Sequence, residues 1–406
     1  MLLKKEMLKS IFFVLKLYLR RKKYDVIFVN SVVFNRENNG DNALFKPLIK
    51  TCEELNFKYI IIEDADLKGE YKRFKRNKNA IPFDFISLIS TLIRKFNKKK
   101  ISKFDSFEKE KFVNQKLIKY FLFNLDANIY ITLIWKNVTL WRILSPNATI
   151  TDYQHGIIMN GHSGYLKNRI PPKIKTANKI TTLVYSDFIK NILIANDSTK
   201  FYSNKNVFTI GVNSEMSNNN KKINKKNILF SLQITPDFSN EINRKYTSIA
   251  TKLIENILIF LIENKYKLLL KQHPRYNNSS AFNFENENII FTNDNINNLF
   301  NKTKIHITFH STSAIDAALR GIPTIFINLM KEFSPEDIFF KQYEYPFNEL
   351  IINDIGNIII AVKFIENNYM EISQQVYNWG TKINSSFDKE KFKEFLLKKR
   401  WNEKQS

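Results

Sequence analysis

The stretch Ile305–Asn328, IHITFHSTSAIDAALRGIPTIFIN, has the pattern of a strand, a polar loop, a helix and a second strand. Ser313 and Asp316 have the spacing of a capping box, which marks a helix start. Gly321 and Pro323 are typical of a helix end. A hydroxyl-rich loop that opens a helix after a strand offers backbone N–H groups to an anion. The stretch therefore predicts a β-α-β unit that either holds a phosphate or simply connects two strands.

The same alternation of strand and helix patterns runs through both halves of the chain. It begins with Asp25–Asn30 in the first half and restarts with Ile228–Leu232, after the polar run Ser214–Asn227. The chain has 406 residues, of which 44% are hydrophobic, and this is enough for two α/β cores. We therefore predict an α/β protein with two doubly wound, Rossmann-like domains that face a cleft. The expected divisions are an N-terminal domain over 1–213, a linker over 214–227, a C-terminal domain over 228–385, and a C-terminal helix and tail over 386–406.

The chain is strongly basic, with 63 Lys and Arg against 39 Asp and Glu and a formal net charge of +24. Part of this charge is clustered, at Arg20–Lys23, Lys72–Lys78, Arg94–Lys103 and Lys221–Lys226. Such clusters suit an anionic partner, which means a phospholipid surface, a nucleotide or a nucleic acid, or they are simply solvated. No helix-turn-helix, RNP or zinc-finger pattern accompanies them. We therefore expect no nucleic-acid partner.

Two segments have the composition of surface helices that can contact a membrane. Residues 1–23 combine apolar and basic positions, contain no run of about twenty apolar residues, and lack a cleavage site. They predict an amphipathic basic helix that lies on the protein or on a membrane. Residues 83–104 carry an apolar helical face followed by cations, which can dock on a membrane but is expected to pack on the domain. We expect a cytoplasmic protein, peripherally associated with the inner membrane.

Four of the five histidines fall in predicted loops at the carboxyl ends of strands, the edge at which doubly wound sheets bind ligands. His273 precedes Pro274, which keeps it extended, and strand alternation puts Lys271, His273 and Arg275 on one side. One imidazole and two cations suit a phosphate or a sugar hydroxyl, or else they form a solvated strand end. His310 begins the hydroxyl-rich loop His310–Ser313, which can hold a phosphate.

A second loop, Thr151–Tyr165 (TDYQHGIIMNGHSGY), follows another predicted strand. Asp152 and His155 can act as a general base and its partner, removing the proton from an acceptor hydroxyl. His162 and Tyr165, in the same loop, can bind that acceptor.

A metal site and a hydrolase triad both lack support in the sequence. His155 and His162 are on an irregular loop, and no HExxH spacing exists. The single cysteine, Cys52, excludes an intramolecular disulfide and a cysteine-built zinc site. No GxSxG elbow is present. We therefore expect neither a metal nor a cofactor.

Three short segments follow one another along the chain: QHG at Gln154–Gly156, KQHPR at Lys271–Arg275, and HSTSAIDAALRGIPTIFI at His310–Ile327. Together they resemble bacterial glycosyltransferases of the two-Rossmann (GT-B) type that build capsules and lipopolysaccharide. The most similar are those that use CMP-activated sugars, the Kdo and sialic-acid transferases, which have an HP motif and a later Ser/Thr motif.

The resemblance implies that His273 and Pro274 contact the cytidine nucleotide and that Ser311–Ser313 hold the donor phosphate. It also implies that Asp152 or His155 activates the acceptor. The complete predicted site has catalytic residues Asp152 and His155, donor-binding residues Lys271, His273, Pro274, Arg275, His310, Ser311, Thr312 and Ser313, and acceptor-binding residues Gln154, His162 and Tyr165.

The predicted function is therefore metal-independent transfer of a sugar, Kdo or sialic acid from a CMP donor, onto a surface-polysaccharide or lipid-linked glycan. Transfer from a UDP-sugar, or a CDP-glycerol or CDP-ribitol phosphotransferase activity, is the alternative within the same architecture. A basic nucleic-acid-binding protein and an inactive or sugar-isomerising two-domain protein are more distant alternatives.

Overall fold

The computed structural model describes residues 5–35, 37, 39–65, 75–135, 137–158, 164–213, 225–234, 239–273, 284, 286–309, 311–330 and 336–401. The chain divides into two compact units, Met1–Asn213 with Phe387–Ser406, and Ser214–Ser386. The C-terminal helix is thus part of the first unit. Most of the predicted linker lies outside the described residues, and its last residue, Asn227, begins a strand.

The first unit is built on a seven-stranded parallel sheet with the order β3-β2-β1-β4-β5-β6-β7. Its strands are β1 Lys22–Asn30, β2 Tyr59–Glu63, β3 Ile81–Pro82, β4 Leu125–Leu133, β5 Thr149–Tyr153, β6 Thr181–Val184 and β7 Val207–Thr209. Its helices are α1 Lys5–Leu19, α2 Lys46–Glu54, α3 Asp84–Phe96, α4 Lys98–Ile101, α5 Ser106–Leu117, α6 Val138–Leu144, α7 Lys173–Ala177, α8 Asp187–Asn196 and α15 Lys389–Trp401, with a 3-10 turn at Val32–Phe34 and a π-helix at Ile118–Leu122.

Helices cover both faces of this sheet, as the alternation along β1 requires. Ile27 and Val29 point into a core formed with α1, α3, α5 and α6. Val26 and Phe28 point into the opposite core, formed with α2 and α15. The apolar residues Phe85, Ile89 and Ile93 of α3 pack on the first of these cores, which confirms the packing that was expected for residues 83–104.

The carboxyl ends of β1 and β2 are closed by a buried polar network. The Glu63 carboxylate accepts hydrogen bonds from Asn35 Nδ2 at 2.6 Å and from Arg76 Nε at 2.8 Å. Asp64 accepts from the Ser31 hydroxyl at 2.8 Å and from the Val32 N–H at 2.9 Å. Buried carboxylates must be paired in this way, so the network fixes the loops at this end of the sheet.

The second unit is built on a six-stranded parallel sheet with the order β10-β9-β8-β11-β12-β13. Its strands are β8 Asn227–Ser231, β9 Lys267–Lys271, β10 Ile289–Thr292, β11 Ile305–Thr308, β12 Thr324–Ile327 and β13 Ile351–Ile352. Its helices are α9 Asn240–Glu263, α10 Ile296–Phe300, α11 Ser313–Ala318, α12 Glu336–Tyr343, α13 Ile358–Asn367 and α14 Tyr369–Ile383, with 3-10 turns at Asn348–Leu350 and Ile355–Asn357. The prediction of two doubly wound α/β domains is confirmed.

The stretch Ile305–Asn328 forms β11, α11 and β12, and one of its details was predicted wrongly. The helix begins at Ser313, and Gly321 has the positive φ, 63°, that was expected after its end. Its N-cap is Thr312, which makes no side-chain capping hydrogen bond. The Ser313 side chain is buried instead, with its hydroxyl 3.4 Å from His306 Nε2. The Ser311 hydroxyl accepts the Ser313 N–H at 3.2 Å, so Ser311, and not a capping box at Ser313, serves the helix start.

Among the described residues, no helix combines the length and the apolarity needed to cross a bilayer.

Candidate active site

His155 lies just after β5, at the carboxyl edge of the first sheet and between the ends of β4 and β6. It is partly exposed. Three aromatic rings surround its imidazole, with centroid separations of 5.7 Å to Phe34, 6.0 Å to Trp135 and 6.2 Å to Tyr165. Phe34 follows β1 and Trp135 follows β4, so loops from three adjacent strands meet at this histidine. This is the edge at which doubly wound sheets bind ligands.

A buried ion pair shares two of those rings. Lys175 Nζ is 2.6 Å from Asp152 Oδ2, and neither side chain is exposed. The same ammonium lies 3.7 Å from the ring centroid of Tyr165 and 4.9 Å from that of Trp135. Burial lowers the pKa of Lys175, and the Asp152 carboxylate opposes that shift. The cation is thus held by one carboxylate and two aromatic faces.

The loop after β4 carries backbone strain beside this pair. Ile134, Trp135 and Asn137 have positive φ angles of 50°, 43° and 54°. The left-handed region is rarely occupied by a β-branched residue such as Ile134. Asp152 Oδ1 accepts the Trp135 N–H at 3.2 Å and so helps to hold this conformation. Strained backbone of this kind concentrates at ligand sites, at a cost of about 1–3 kcal/mol per residue.

These contacts distinguish the two predicted catalytic residues. Asp152 is completely buried, and its carboxylate bonds to Lys175 and to the Trp135 backbone. In this arrangement it orients the site, whereas a base must reach the substrate hydroxyl. The partly exposed His155 meets that requirement.

The predicted acceptor-binding residues are mostly internal. Gln154 is buried; its amide accepts the Tyr185 N–H at 2.9 Å and donates to the Gly156 carbonyl at 2.8 Å, so it positions the loop. Tyr165 is also buried, and burial together with the Asp152 charge raises its pKa well above the usual value. His162 lies outside the described residues. Acceptor binding by these three residues stays a prediction.

In the second unit, the strand ends place polar groups in one row. Parallel pairing puts Lys271 of β9 beside Ser231 of β8, and Ser231 beside Thr308 of β11. Lys271 is partly buried; burial lowers its pKa, and the charge of Asp294 opposes the shift. A cation and two hydroxyls therefore lie at the carboxyl ends of three neighbouring strands.

His306 of β11 connects this row to α11 and β12. Its Nε2 is 2.9 Å from Ser231 Oγ, and its Nδ1 is 3.1 Å from Thr324 Oγ1. Burial lowers the pKa of His306 to about 3, so the imidazole is neutral at physiological pH. A neutral ring has one donor and one acceptor nitrogen, so it dictates how the two hydroxyls direct their protons.

The predicted donor-binding residues lie at this same edge as far as they are described. His273, two residues beyond β9, and Ser311 are partly exposed, while Thr312 is exposed. The Ser311 hydroxyl accepts the Ser313 N–H at 3.2 Å. Only β8 separates β9 from β11, so the two loops follow strands that are close together. Pro274, Arg275 and His310 lie outside the described residues.

Sequence reasoning missed three residues that organise these sites. Lys175 is one cation among 63 Lys and Arg, and no pattern marks it as buried. Ser231 and Trp135 were likewise not singled out. The sequence predicts a strand at His306 but no role for it, although a histidine inside a buried apolar strand needs a polar partner.

Among the residues that the structure describes, no three His, Cys, Asp or Glu side chains come together as a metal site would require. The absence of a metal from the reaction stays a prediction.

No protein-family model matches the chain, and no curated protein matches it. Solved structures do. The wall teichoic acid polymerase TagF, as its H444N variant, has a TM-score of 0.55 at 12% identity and covers 99% of both chains. UDP-GlcNAc 2-epimerase from Methanocaldococcus jannaschii has a TM-score of 0.54 at 12% identity, covering 93% of this chain and 99% of its own.

A third similar structure is CalG4, the calicheamicin glycosyltransferase, with a TM-score of 0.54 at 8% identity and coverage of 94% of this chain and 99% of its own. The fold is of the GT-B type. At such low identities the likeness shows the fold alone.

Replacing Lys175 with Met should lower the free energy of unfolding by about 3–5 kcal/mol, because it leaves the buried Asp152 carboxylate without a countercharge. Adding Asp152→Asn should restore part of the loss, since the amide keeps the acceptor for the Trp135 N–H. Urea unfolding of the two single variants and the double variant measures the coupling.

The matched control is Lys173→Met on the same helix, whose ion pair with Asp105 is 3.0 Å long but exposed. It should leave stability within experimental error, because solvent screens such pairs. Equal losses for Lys175→Met and Lys173→Met would contradict the ion pair's structural role.

Acidification should destabilise the protein through His306. Its folded pKa of about 3 is below the ordinary 6.5, so below pH 6.5 the unfolded chain binds a proton that the folded chain excludes. Between pH 7 and pH 5 this group alone should remove about 2 kcal/mol of unfolding free energy. Between pH 7 and pH 5, the unfolding free energy of His306→Asn, measured with urea, should change less with pH than that of the wild type. Parallel pH profiles for the two proteins would show that His306 titrates normally in the folded state.

Proposed function

We propose that the protein is a glycosyltransferase that moves a sugar from a cytidine-nucleotide donor onto a surface-polysaccharide or lipid-linked glycan. The observation that carries this proposal is the row formed by Lys271, Ser231 and Thr308, followed by the loop Ser311–Ser313. It lies at the carboxyl edge of a doubly wound sheet, where nucleotides bind in this class of fold. The second unit would thus bind the donor.

The donor chemistry needs groups that stabilise a leaving phosphate. Negative charge develops on that phosphate as the glycosidic bond breaks, and fixed donors aimed at it lower the barrier. Lys271 supplies a positive charge, and Ser311 and Thr312 supply accessible hydroxyls. Neutral His306 adds no charge, but it fixes the Ser231 hydroxyl. Ser231 is on β8, the strand between β9 and β11.

The acceptor chemistry needs a base in the first unit, and we assign it to His155. Its imidazole would take the proton from the acceptor hydroxyl as the new bond forms. The rings of Phe34 and Trp135 support the imidazole, and Asp152 holds the Trp135 backbone in place. We assign Asp152 and Lys175 a positioning role in this chemistry, with no bound metal or cofactor.

The KQHPR and HSTS segments support a CMP donor, with Kdo or sialic acid as the sugar, because they resemble the corresponding motifs of CMP-sugar transferases. A second candidate is transfer of glycerol or ribitol phosphate from a CDP donor. It is supported by the likeness to a wall teichoic acid polymerase over 99% of both chains. UDP-sugar chemistry is a third candidate, since a UDP-GlcNAc 2-epimerase shares the fold. We further propose a cytoplasmic protein that works at the inner membrane surface, with no nucleic-acid partner.

Titration of the purified protein with CMP, CDP and UDP separates the cytidine donors from a UDP-sugar, and we expect CMP and CDP to bind more tightly than UDP. Because a CMP-sugar and a CDP-polyol both release CMP, consumption of CMP-Kdo, CMP-sialic acid or CDP-glycerol then identifies the transferred group. Lys271→Met should weaken binding by roughly tenfold to a hundredfold, the value of a hydrogen bond to a charged group. Lys267→Met, at the exposed opposite end of the same strand, is the control and should bind normally. Preference for UDP would overturn the donor assignment.

His155→Ala should reduce transfer by about 10²–10⁴-fold, the usual contribution of a general base, while nucleotide binding is retained. Transfer to a lipid-linked or polysaccharide acceptor, measured with the donor that binds best, gives the rate. His273→Ala should instead weaken nucleotide binding. Full activity in both variants would refute the site.

A further inference from the structure

Helix α1 is apolar on two opposite faces. One face is buried in the core of the first unit through Phe13, Val14 and Leu17. The other face carries large apolar side chains that remain exposed: Leu8 at 41%, Phe12 at 61%, Leu15 at 50% and Leu19 at 87%. An exposed face of a surface helix is normally polar, so this second apolar face requires an explanation.

The exposed side chains form one continuous stripe. The spacing of residues 8, 12, 15 and 19 is four, three and four, which places them above one another along a single helix face. The stripe extends onto the π-helix. Tyr18 packs edge-on against Phe123 with ring centroids 5.3 Å apart, and its hydroxyl donates to the Tyr120 carbonyl. Tyr120 and Phe123 are themselves half exposed.

Cations line one flank of this stripe. Lys5, Lys9 and Lys16 repeat at spacings of four and seven, which places them together next to the apolar residues, and all three are exposed. The acidic residue of α1, Glu6, lies on the other side of the lysine row from the apolar stripe. Neighbouring α3, which packs against α1, ends in an exposed Phe96, and Lys98–Lys100 follow it.

We propose that this surface, formed by the exposed face of α1 with Tyr120 and Phe123, docks on a bilayer that contains anionic phospholipids. An apolar stripe beside a row of cations matches a membrane interface, where the stripe enters the acyl boundary and the lysines contact headgroup phosphates. Tyrosine at its edge suits the headgroup level, and phenylalanine suits the apolar side of that boundary. A second copy of this face would offer the lysine row no row of carboxylates, whereas headgroup phosphates supply that countercharge.

The proposal is independent of the transfer chemistry, because none of these residues belongs to the donor or acceptor site. It also accounts for an exposed apolar surface that neither site explains. A peripheral surface of this kind would bring the protein to acceptors that are anchored in the same bilayer.

Co-sedimentation of the full chain with vesicles tests the surface. Wild-type protein should bind vesicles of phosphatidylcholine with phosphatidylglycerol, should bind phosphatidylcholine alone weakly, and should lose binding as salt rises. The variant Phe12→Gln/Leu15→Gln/Leu19→Gln keeps the buried face and uses a good helix former. We expect it to bind at least about tenfold more weakly, because three inserted side chains are lost.

Two matched controls separate this effect from a general loss of surface apolarity or charge. Ile259→Gln/Ile262→Gln removes apolar residues that are 68% and 51% exposed on α9 and should bind as wild type does. Lys9→Gln/Lys16→Gln should weaken binding roughly 25-fold, at about fivefold per lysine near an anionic surface. Lys252→Gln/Lys267→Gln removes two exposed lysines from the second unit and should bind vesicles as the wild type does.

Circular dichroism and urea unfolding of each variant show that it is folded, and neither measurement depends on the transferase assignment. Equal vesicle binding by wild type and the triple variant would overturn the proposal, as would no binding by wild type. A concentration-dependent dimer in light scattering that the triple variant abolishes would also overturn it, because the stripe would then join two copies of the chain.

Discussion

The ion pair between Lys175 and Asp152 is the constraint on which the candidate site of the first unit depends. Each buried charge costs several kcal/mol to desolvate, so neither could remain there without the other. One carboxylate oxygen holds the ammonium at 2.6 Å, and the other holds the strained backbone at Trp135. The ammonium in turn packs on Trp135 and Tyr165, two of the three rings that surround His155. A single pair therefore connects the strand end, the strained loop and the imidazole.

In the second unit, neutral groups instead of an ion pair fix the polar side chains near the strand ends. His306 is as deeply buried as Lys175, but burial lowers its pKa because no carboxylate among the described residues opposes that shift. Its two ring nitrogens then bridge Ser231 and Thr324, and the Ser313 hydroxyl lies near one of them. Such a bridge fixes the directions of hydroxyl groups without adding charge. That suits the phosphate binding that we propose for this edge, where Lys271 supplies the opposite charge.

Much of the architecture could be predicted from local patterns. Apolar runs separated by helical periodicities gave the two parallel sheets, and Gly321 marked the end of α11 because its positive φ is a backbone property. The capping box at Ser313 failed because the turn begins earlier: Ser313 lies inside the helix, and the Ser311 hydroxyl accepts the Ser313 N–H. The role of Lys175 could not be predicted, because its partner is 23 residues away and the pairing arises only when β5 and α7 pack.

By itself the sequence determined the alternation of strands and helices, the polar loops at the strand ends and the basic, amphipathic N-terminal helix. These follow from residue size, polarity and spacing, which act over a few residues. Tertiary structure alone decided which polar groups are buried together and which apolar ones stay outside. It put Asp152 inside with a lysine, left His155 partly accessible, and turned Phe12 and Leu19 to the surface. The reason is physical: desolvation and pairing energies depend on neighbours in space, and folding brings those neighbours from distant parts of the chain.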